Sequence, residues 1–230
     1  MSDLFSALFW ILTTIAAYIA ARTFYRRTGY WWASPLLLGP ILLLVLALLL
    51  RVDYATYFAG PRWLVAMLGP TTVAFAIPIH RQRELIRRHW KTLAIGTITG
   101  SSVALVSAFL LARWLALSPE LTQSLLPRSV TTPFAMEVSA RIGGVPELTA
   151  VFVIVTGLIG ATFGPILFRV LPLHSTMARG ALLGMAAHGT GVAKAREIGD
   201  GEAAIAGLTM VLAGVLNVLI APWVILALAT

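Results

Sequence analysis

Two short runs of this 230-residue chain combine hydroxyls, glycines, proline and charge inside otherwise apolar sequence. The first is Arg128, Ser129, Val130, Thr131, Thr132 and Pro133. A proline favours the first turn of a helix, and amides at a helix start carry a positive half-charge suited to a carboxylate. With hydroxyls beside them and Arg128 in front, these residues describe an anion cradle. The alternative is that Ser and Thr only let helices pack closely; Arg128 favours the cradle. The second run is His188, Gly189, Thr190 and Gly191, followed by Lys194 and Glu197. Its glycines permit close backbone approach or positive φ. His188, the only imidazole inside an apolar stretch, either binds substrate and relays a proton or is a hydrogen-bonded packing residue.

Other charged groups are less pointed. Lys194 and Glu197 stand three apart and Glu137 and Arg141 four apart, spacings that pair on one helical face. Glu137 and Glu197 are, with His188, the candidates for proton or ion coupling. Arg196, Asp200 and Glu202 read as a solvated helix end, and Asn217 as the donor of a cross-helix hydrogen bond. No constellation for catalysis is present: there is no Gly-x-Ser-x-Gly, no His-Glu-x-x-His and no P-loop. Four scattered histidines and no cysteine leave no metal-ligand spacing. A non-enzyme without cofactor or metal is expected.

The elements that position these runs are set by hydrophobicity. Apolar residues make up 59% of the chain and charged residues 11%, against about 25% charged in soluble domains. Mean hydropathy is +0.89. Residues 4–21, 33–50, 92–112, 148–168 and 203–230 carry no charge. Each is near or above the roughly 20 residues that span a hydrocarbon core. The fold class expected is an all-α integral membrane protein of about six to eight transmembrane segments, with two or more broken or re-entrant helices and an internal repeat.

The net charge of +8 sits at the ends of apolar runs rather than on one face, which argues against nucleic acid. Arg22, Arg26 and Arg27, then Arg81, Arg83, Arg87, Arg88 and Lys91, form two basic loops separated by two apolar passages. The positive-inside rule places loops 22–27 and 80–91 in the cytoplasm of a bacterial inner membrane, with both termini outside. Residues 4–21 lack a basic leader and read as a retained span, not a signal peptide. Trp31, Trp32, Trp63, Trp90 and Trp114 lie near run ends, as interfacial anchors do.

Three segments are broken. Residues 62–81 hold Thr71, Thr72 and Pro78; residues 126–144 and 179–200 hold the two polar runs. The last two are too polar for lipid, so protein or a water-filled cavity must satisfy their backbone, the setting of a discontinuous helix at a transport site. A shift of sixty residues lays Thr71 and Thr72 on Thr131 and Thr132, Arg81 on Arg141 and Gly100 on Gly160. A shorter shift lays Arg141, Gly144 and Glu147 on Arg196, Gly199 and Glu202. If 126–144 crosses fully, the loop with Arg169, His174 and Arg179 faces outward against the positive-inside rule. If it dips and returns, that loop is cytoplasmic and 179–200 dips from the opposite side. The second arrangement is preferred.

Residues 126–136 and 142–146 resemble the signature of the LrgB/CidB family. So do 178–180, Ala187 with His188, and 191–197 with Glu202 and Ala203; residues 69–78 resemble its first-half motif. The resemblance runs from about residue 4 to the C-terminus and implies one LrgB-like transmembrane domain over 1–230. Within it fall first helices at 4–61, a first broken-helix repeat at 62–115, a second at 116–175, and a third broken helix with the last span at 176–230. The family was described as holin- or antiholin-like modulators of murein hydrolase export and cell lysis. Plant relatives resemble plastid glycolate/glycerate translocators. Some bacterial members, with a small LrgA/CidA-type partner, are tied to pyruvate uptake. The leading expectation is a secondary transporter of small monocarboxylates coupled to H+ or Na+, acting as a homodimer. Its substrate would be held by Arg128, Ser129, Thr131, Thr132, Pro133, His188, Gly189, Thr190, Gly191 and Lys194. Lys194 stands where Arg is commoner, Arg128 where Lys is, Glu137 where a small neutral residue is usual, and His80 where Tyr is usual.

Overall fold

The computed structural model describes residues 2–30, 33–74 and 76–228, with the side chains of 2–4, 71, 72 and 224–228 outside the description. Every regular element among the described residues is helical. The chain divides into two compact units, residues 1–71 and 72–230.

The first unit is built on α1 (Ser2–Thr28) and α2 (Pro35–Leu49), followed by the short α3 (Tyr54–Phe58) and α4 (Arg62–Ala66). Trp10 on α1 is 2% exposed and meets the Tyr57 ring edge-on at 5.2 Å. Most other large side chains of α1 and α2 face outward, among them Leu12, Ile19, Leu44 and Leu48. That pattern suits lipid, because outward apolar surface costs nothing in hydrocarbon. Helix α2 has 15 residues, or about 22 Å of rise, so the apolar run 33–50 gives a helix shorter than a full span. The break expected at 62–81 falls at Met67, between α4 and α5 (Leu68–Ala74); α6 (Ala76–Arg81) follows, with Phe75 outside the described residues, and the unit boundary falls inside α5. Pro78 lies in α6, half-buried.

The second unit holds both polar runs. Helix α7 (Arg83–Trp114) takes in most of the stretch expected as basic loop 80–91, which is helical except at Gln82 and marks the basic-loop end of the unit; then come α8 (Pro119–Leu125), a 3₁₀ turn (Leu126–Ser129) and α9 (Thr132–Ile142). Helices α10 (Pro146–Val170), α11 (Thr176–Ile198) and α12 (Asp200–Leu228) complete it. Four helices among the described residues are long and apolar enough to cross a membrane: α1, α7, α10 and α12.

The packing fixes directions. Ala108 and Ala112 of α7 share a cluster with Ala221 of α12, and Asn217 Nδ2 donates to Ser101 Oγ at 3.2 Å, the cross-helix bond expected of Asn217. Thus α7 and α12 run parallel, from a basic-loop end to an opposite end. Helix α10 is antiparallel to them: Thr149 joins the group of Ser124 and Ser139 at the opposite end, and Gly164 meets Leu183 nearer the basic-loop end. Trp90 and Trp114, near the two ends of α7, are 58% and 81% exposed, as interfacial anchors should be; Trp31 and Trp32 lie outside the described residues.

Candidate functional site

Hairpin one is punctuated by sequence. Ser118 caps α8, accepting from the Leu121 amide at 3.3 Å, with Pro119 in the first turn. Pro127 then tightens the chain into the 3₁₀ turn, and Val130 is extended (φ −130°, ψ 166°). Thr131 stands at the N-cap of α9, and Pro133 lies in the first turn. Helix α9 has 11 residues, about 16 Å, half a bilayer crossing. It stops at Gly143, whose φ of 90° suits glycine; Pro146 restarts the chain as α10. Because α7 ends and α10 begins at the same end of the unit, residues 116–145 leave that end and return to it.

A hydroxyl knot closes the base of this hairpin, and sequence reasoning missed it. Ser124 Oγ donates to the Glu120 carbonyl and accepts from the Val145 amide, both at 2.8 Å. Thr149 Oγ1 lies 2.7 Å from Ser139 Oγ and 2.9 Å from the Ser124 carbonyl. All three side chains are fully buried. The Gly143–Gly144 pair near Ser139 was the one available signal, since a Cβ on Gly144 would lie 2.5 Å from Ser139 Oγ.

Hairpin two is made by a single residue. His188 breaks α11 with φ 51° and ψ −127°, values of the first central position of a type II′ turn, where glycine is the usual occupant. The helix folds back on itself there. A Cβ on Gly191 would run into the Leu183 carbonyl, and one on Gly201 would meet the Thr176 side chain at 2.9 Å. Residues 176 and 201 are therefore neighbours at the basic-loop end, and 179–200 dips from the end opposite to hairpin one. The ion pair of part-exposed Arg179 with buried Glu202 (Nε to Oε1, 3.8 Å) ties the first arm to α12. This corrects the reading of Glu202 as solvated: it is 7% exposed, because the start of α12 is packed against Gly180.

The two tips meet at the middle of α10. Val130 packs with Val153, and Met185 of the first α11 arm joins the same cluster with Phe134 and Ala135. Thr190 Oγ1 donates to the Gly157 carbonyl at 2.9 Å. Val153 and Gly157 are one turn apart, about 6 Å, so the tips lie at nearly one depth.

The candidate residues divide accordingly. At tip one, the half-buried Arg128 guanidinium donates to Ser129 Oγ at 3.3 Å and has no carboxylate partner among the described residues. The half-buried Thr131 and Thr132 hydroxyls make no hydrogen bond among the described residues, and Thr131 gives α9 no side-chain cap. At tip two, His188 is 3% exposed and neither ring nitrogen has a partner among the described residues. Such an orphaned buried group is costly and calls for an explanation. Gly189 is exposed and Gly191 is buried between the arms. Lys194 instead reaches Glu197 at 2.5 Å on the returning arm. Glu137 pairs with Arg141 at 2.7 Å, both more than half exposed. These two ion pairs lie away from the tips. Thr71 and Thr72 have side chains outside the described residues. No cluster of His, Cys, Asp and Glu among the described residues has metal-holding geometry.

Comparison with known proteins agrees on the family. The LrgB-like family matches residues 14–227. Three Bacillus subtilis (strain 168) proteins are similar over nearly their whole length. The uncharacterized protein YwbG is 40% identical over 94% of this chain and 96% of its own. YxaC is 33% identical over 95% of each, and the antiholin-like protein LrgB is 31% identical over 96% of each. No solved structure matches. Apolar helices long enough to span a bilayer, two inward hairpins and a family match over almost every residue give one conclusion: the chain is a membrane protein belonging to the LrgB-like family.

Proposed function

We propose that this protein is a secondary carrier of small monocarboxylates of the glycolate, glycerate, lactate or pyruvate type. The observation that carries the reading is the approach of two hairpin tips at one depth along α10: one bears an arginine without a carboxylate partner and threonine hydroxyls without hydrogen bonds, the other a buried imidazole without a partner, all among the described residues. Arg128 supplies the charge for a carboxylate. Thr131, Thr132 and the first amides of α9 supply donors, and the α9 dipole favours an anion there. A hydroxyl or keto oxygen on the substrate meets His188. Half-helices converging from opposite ends on a central site are the architecture of alternating access.

Internal symmetry supports the same reading. The shift of fifty-five residues that lays Arg141, Gly144 and Glu147 on Arg196, Gly199 and Glu202 superposes like on like. Each set is the last turn of a returning arm, a glycine break and the first turn of a long helix. The two long helices, α10 and α12, run in opposite directions, so the proposed repeat is inverted. In this reading His188 carries the coupling proton, since Glu137 and Glu197 are already paired. Loops 22–27 and 80–91 face the cytoplasm, and a homodimer or an LrgA/CidA-type partner completes the assembly.

Uptake of labelled pyruvate or glycolate into proteoliposomes is the test. Arg128→Gln is expected to reduce saturable flux more than tenfold, and Thr132→Val and His188→Ala also to reduce it. Absence of saturable flux, or flux indifferent to all three, overturns the proposal. The second reading is an antiholin-like regulator of murein hydrolase export, favoured by the name of the LrgB relative. Leakage of a large dye from the same liposomes would support it, because a lesion passes solutes without selection.

A further inference from the structure

We propose that the cleft between α7 and the first arm of α11 is the route by which anions pass between the basic-loop end and the hairpin tips, with Met185 as its inner gate. The proposal rests on the carrier reading of the tips and adds where the path lies and which side chain closes it.

The cleft has a volume of about 270 Å³, many times what a single ordered water needs. That is more than a small carboxylate fills, so it suits passage rather than tight binding. It lies entirely within the second unit. Gly96 and Thr97 line one wall, Met177 and Ala181 the other, and Met185 its deepest part. Small residues on facing walls keep the helices from closing on each other.

Met185 links this space to the site. It lines the cleft and also packs against the cluster of Val130 and Phe134 at tip one. Its Sδ–Cε end lies over Gly100, where a Cβ would come within 2.7 Å of Cε. Glycine at 100 thus leaves the thioether room. Methionine, unbranched with three rotatable bonds, swings more freely than any branched side chain. An apolar plug of this kind stops ions by excluding water until it moves.

Two further features give the route a direction and a cargo. Thr92 forms the outer rim, directly after Arg87, Arg88 and Lys91. These three and Arg81 and Arg83 are exposed and make no ion pair among the described residues. A cationic mouth raises the local concentration of anions. Inside, Thr97 Oγ1 is buried without a partner among the described residues, a donor ready for a passing carboxylate or its water. The other buried threonine of the cleft, Thr209, is spent on the Ile205 carbonyl at 2.9 Å.

The natural chain contains no cysteine, so single-cysteine variants of the full protein report without background. Thr97→Cys and Ala181→Cys are placed in right-side-out and inverted vesicles and exposed to a membrane-impermeant, positively charged methanethiosulfonate; Gln82→Cys marks the face of the basic loop. The expected result is labelling at 97 and 181 at least tenfold faster from that face. Ser129→Cys, beyond the gate, is expected to react more slowly from the same face. Adding Met185→Ala should accelerate it several-fold while the rate at 97 stays unchanged. No reaction at 97 or 181 from either face, or equal reaction from both, overturns the route. A rate at 129 indifferent to Met185→Ala overturns the gate. Saturable pyruvate uptake with an unreactive cleft sinks the route alone; directional labelling without uptake supports the route and sinks the carrier reading.

Discussion

The two hairpins reach the same depth by different physics. Hairpin one is held by polar bonds: caps at Ser118 and Gly143, and the buried hydroxyls of Ser124, Ser139 and Thr149 at its base. Its tip backbone is relaxed. Hairpin two has few such bonds and depends on contact. Gly191 lets its arms touch, Gly184 lets the first arm lie on α12, and its turn is made by a histidine in glycine's conformation. The first is a fixed platform for donors. The second stores backbone strain of about 1–3 kcal/mol at His188, next to the side chain with no partner. Of the two, hairpin two is the one whose turn carries backbone strain.

The contrast can be broken most sharply at Gly191. Gly191→Val drives methyls into the Leu183 backbone and is expected to cost about 3 kcal/mol by overpacking. It should appear as loss of monodisperse protein or a large fall in melting temperature in detergent. Next comes the platform. Thr149→Val leaves the Ser124 carbonyl and Ser139 hydroxyl without their shared partner and is expected to cost about 2 kcal/mol, read from the same melt. Position 188 separates strain from chemistry. His188→Gly relieves the turn and is expected to be about 1 kcal/mol more stable than His188→Ala, while both lose uptake. Equal stabilities would mean that the turn is not strained. The smallest effect is expected at the exposed pair: Glu137→Gln or Arg141→Gln should change stability by less than about 0.5 kcal/mol and leave uptake intact. A large loss of uptake at Glu137 would move the coupling group from hairpin two to hairpin one.

Much of this was legible in sequence because it depends on local chemistry. Pro127, Pro133, Gly143, Gly144 and Pro146 mark where helices stop and start whatever surrounds them. The preferred dip of 126–144 followed from charge placement alone. The pairing of Lys194 with Glu197, three residues on along one arm, was legible for the same reason. Glu202 looked solvated because a charge at a helix start usually is; only the approach of Gly180 buries it.

By itself the sequence determined that this is a helical membrane protein, where its apolar runs are interrupted, and which polar residues stand at those interruptions. Periodicity, proline, glycine and charge act within a few residues and need no fold to be read. Tertiary structure alone decided that the two interruptions meet against one turn of α10. It also decided that His188 rather than a glycine makes the second turn, and that Ser124, Ser139 and Thr149 converge. Those outcomes depend on packing between residues twenty to a hundred positions apart, where no local propensity reaches.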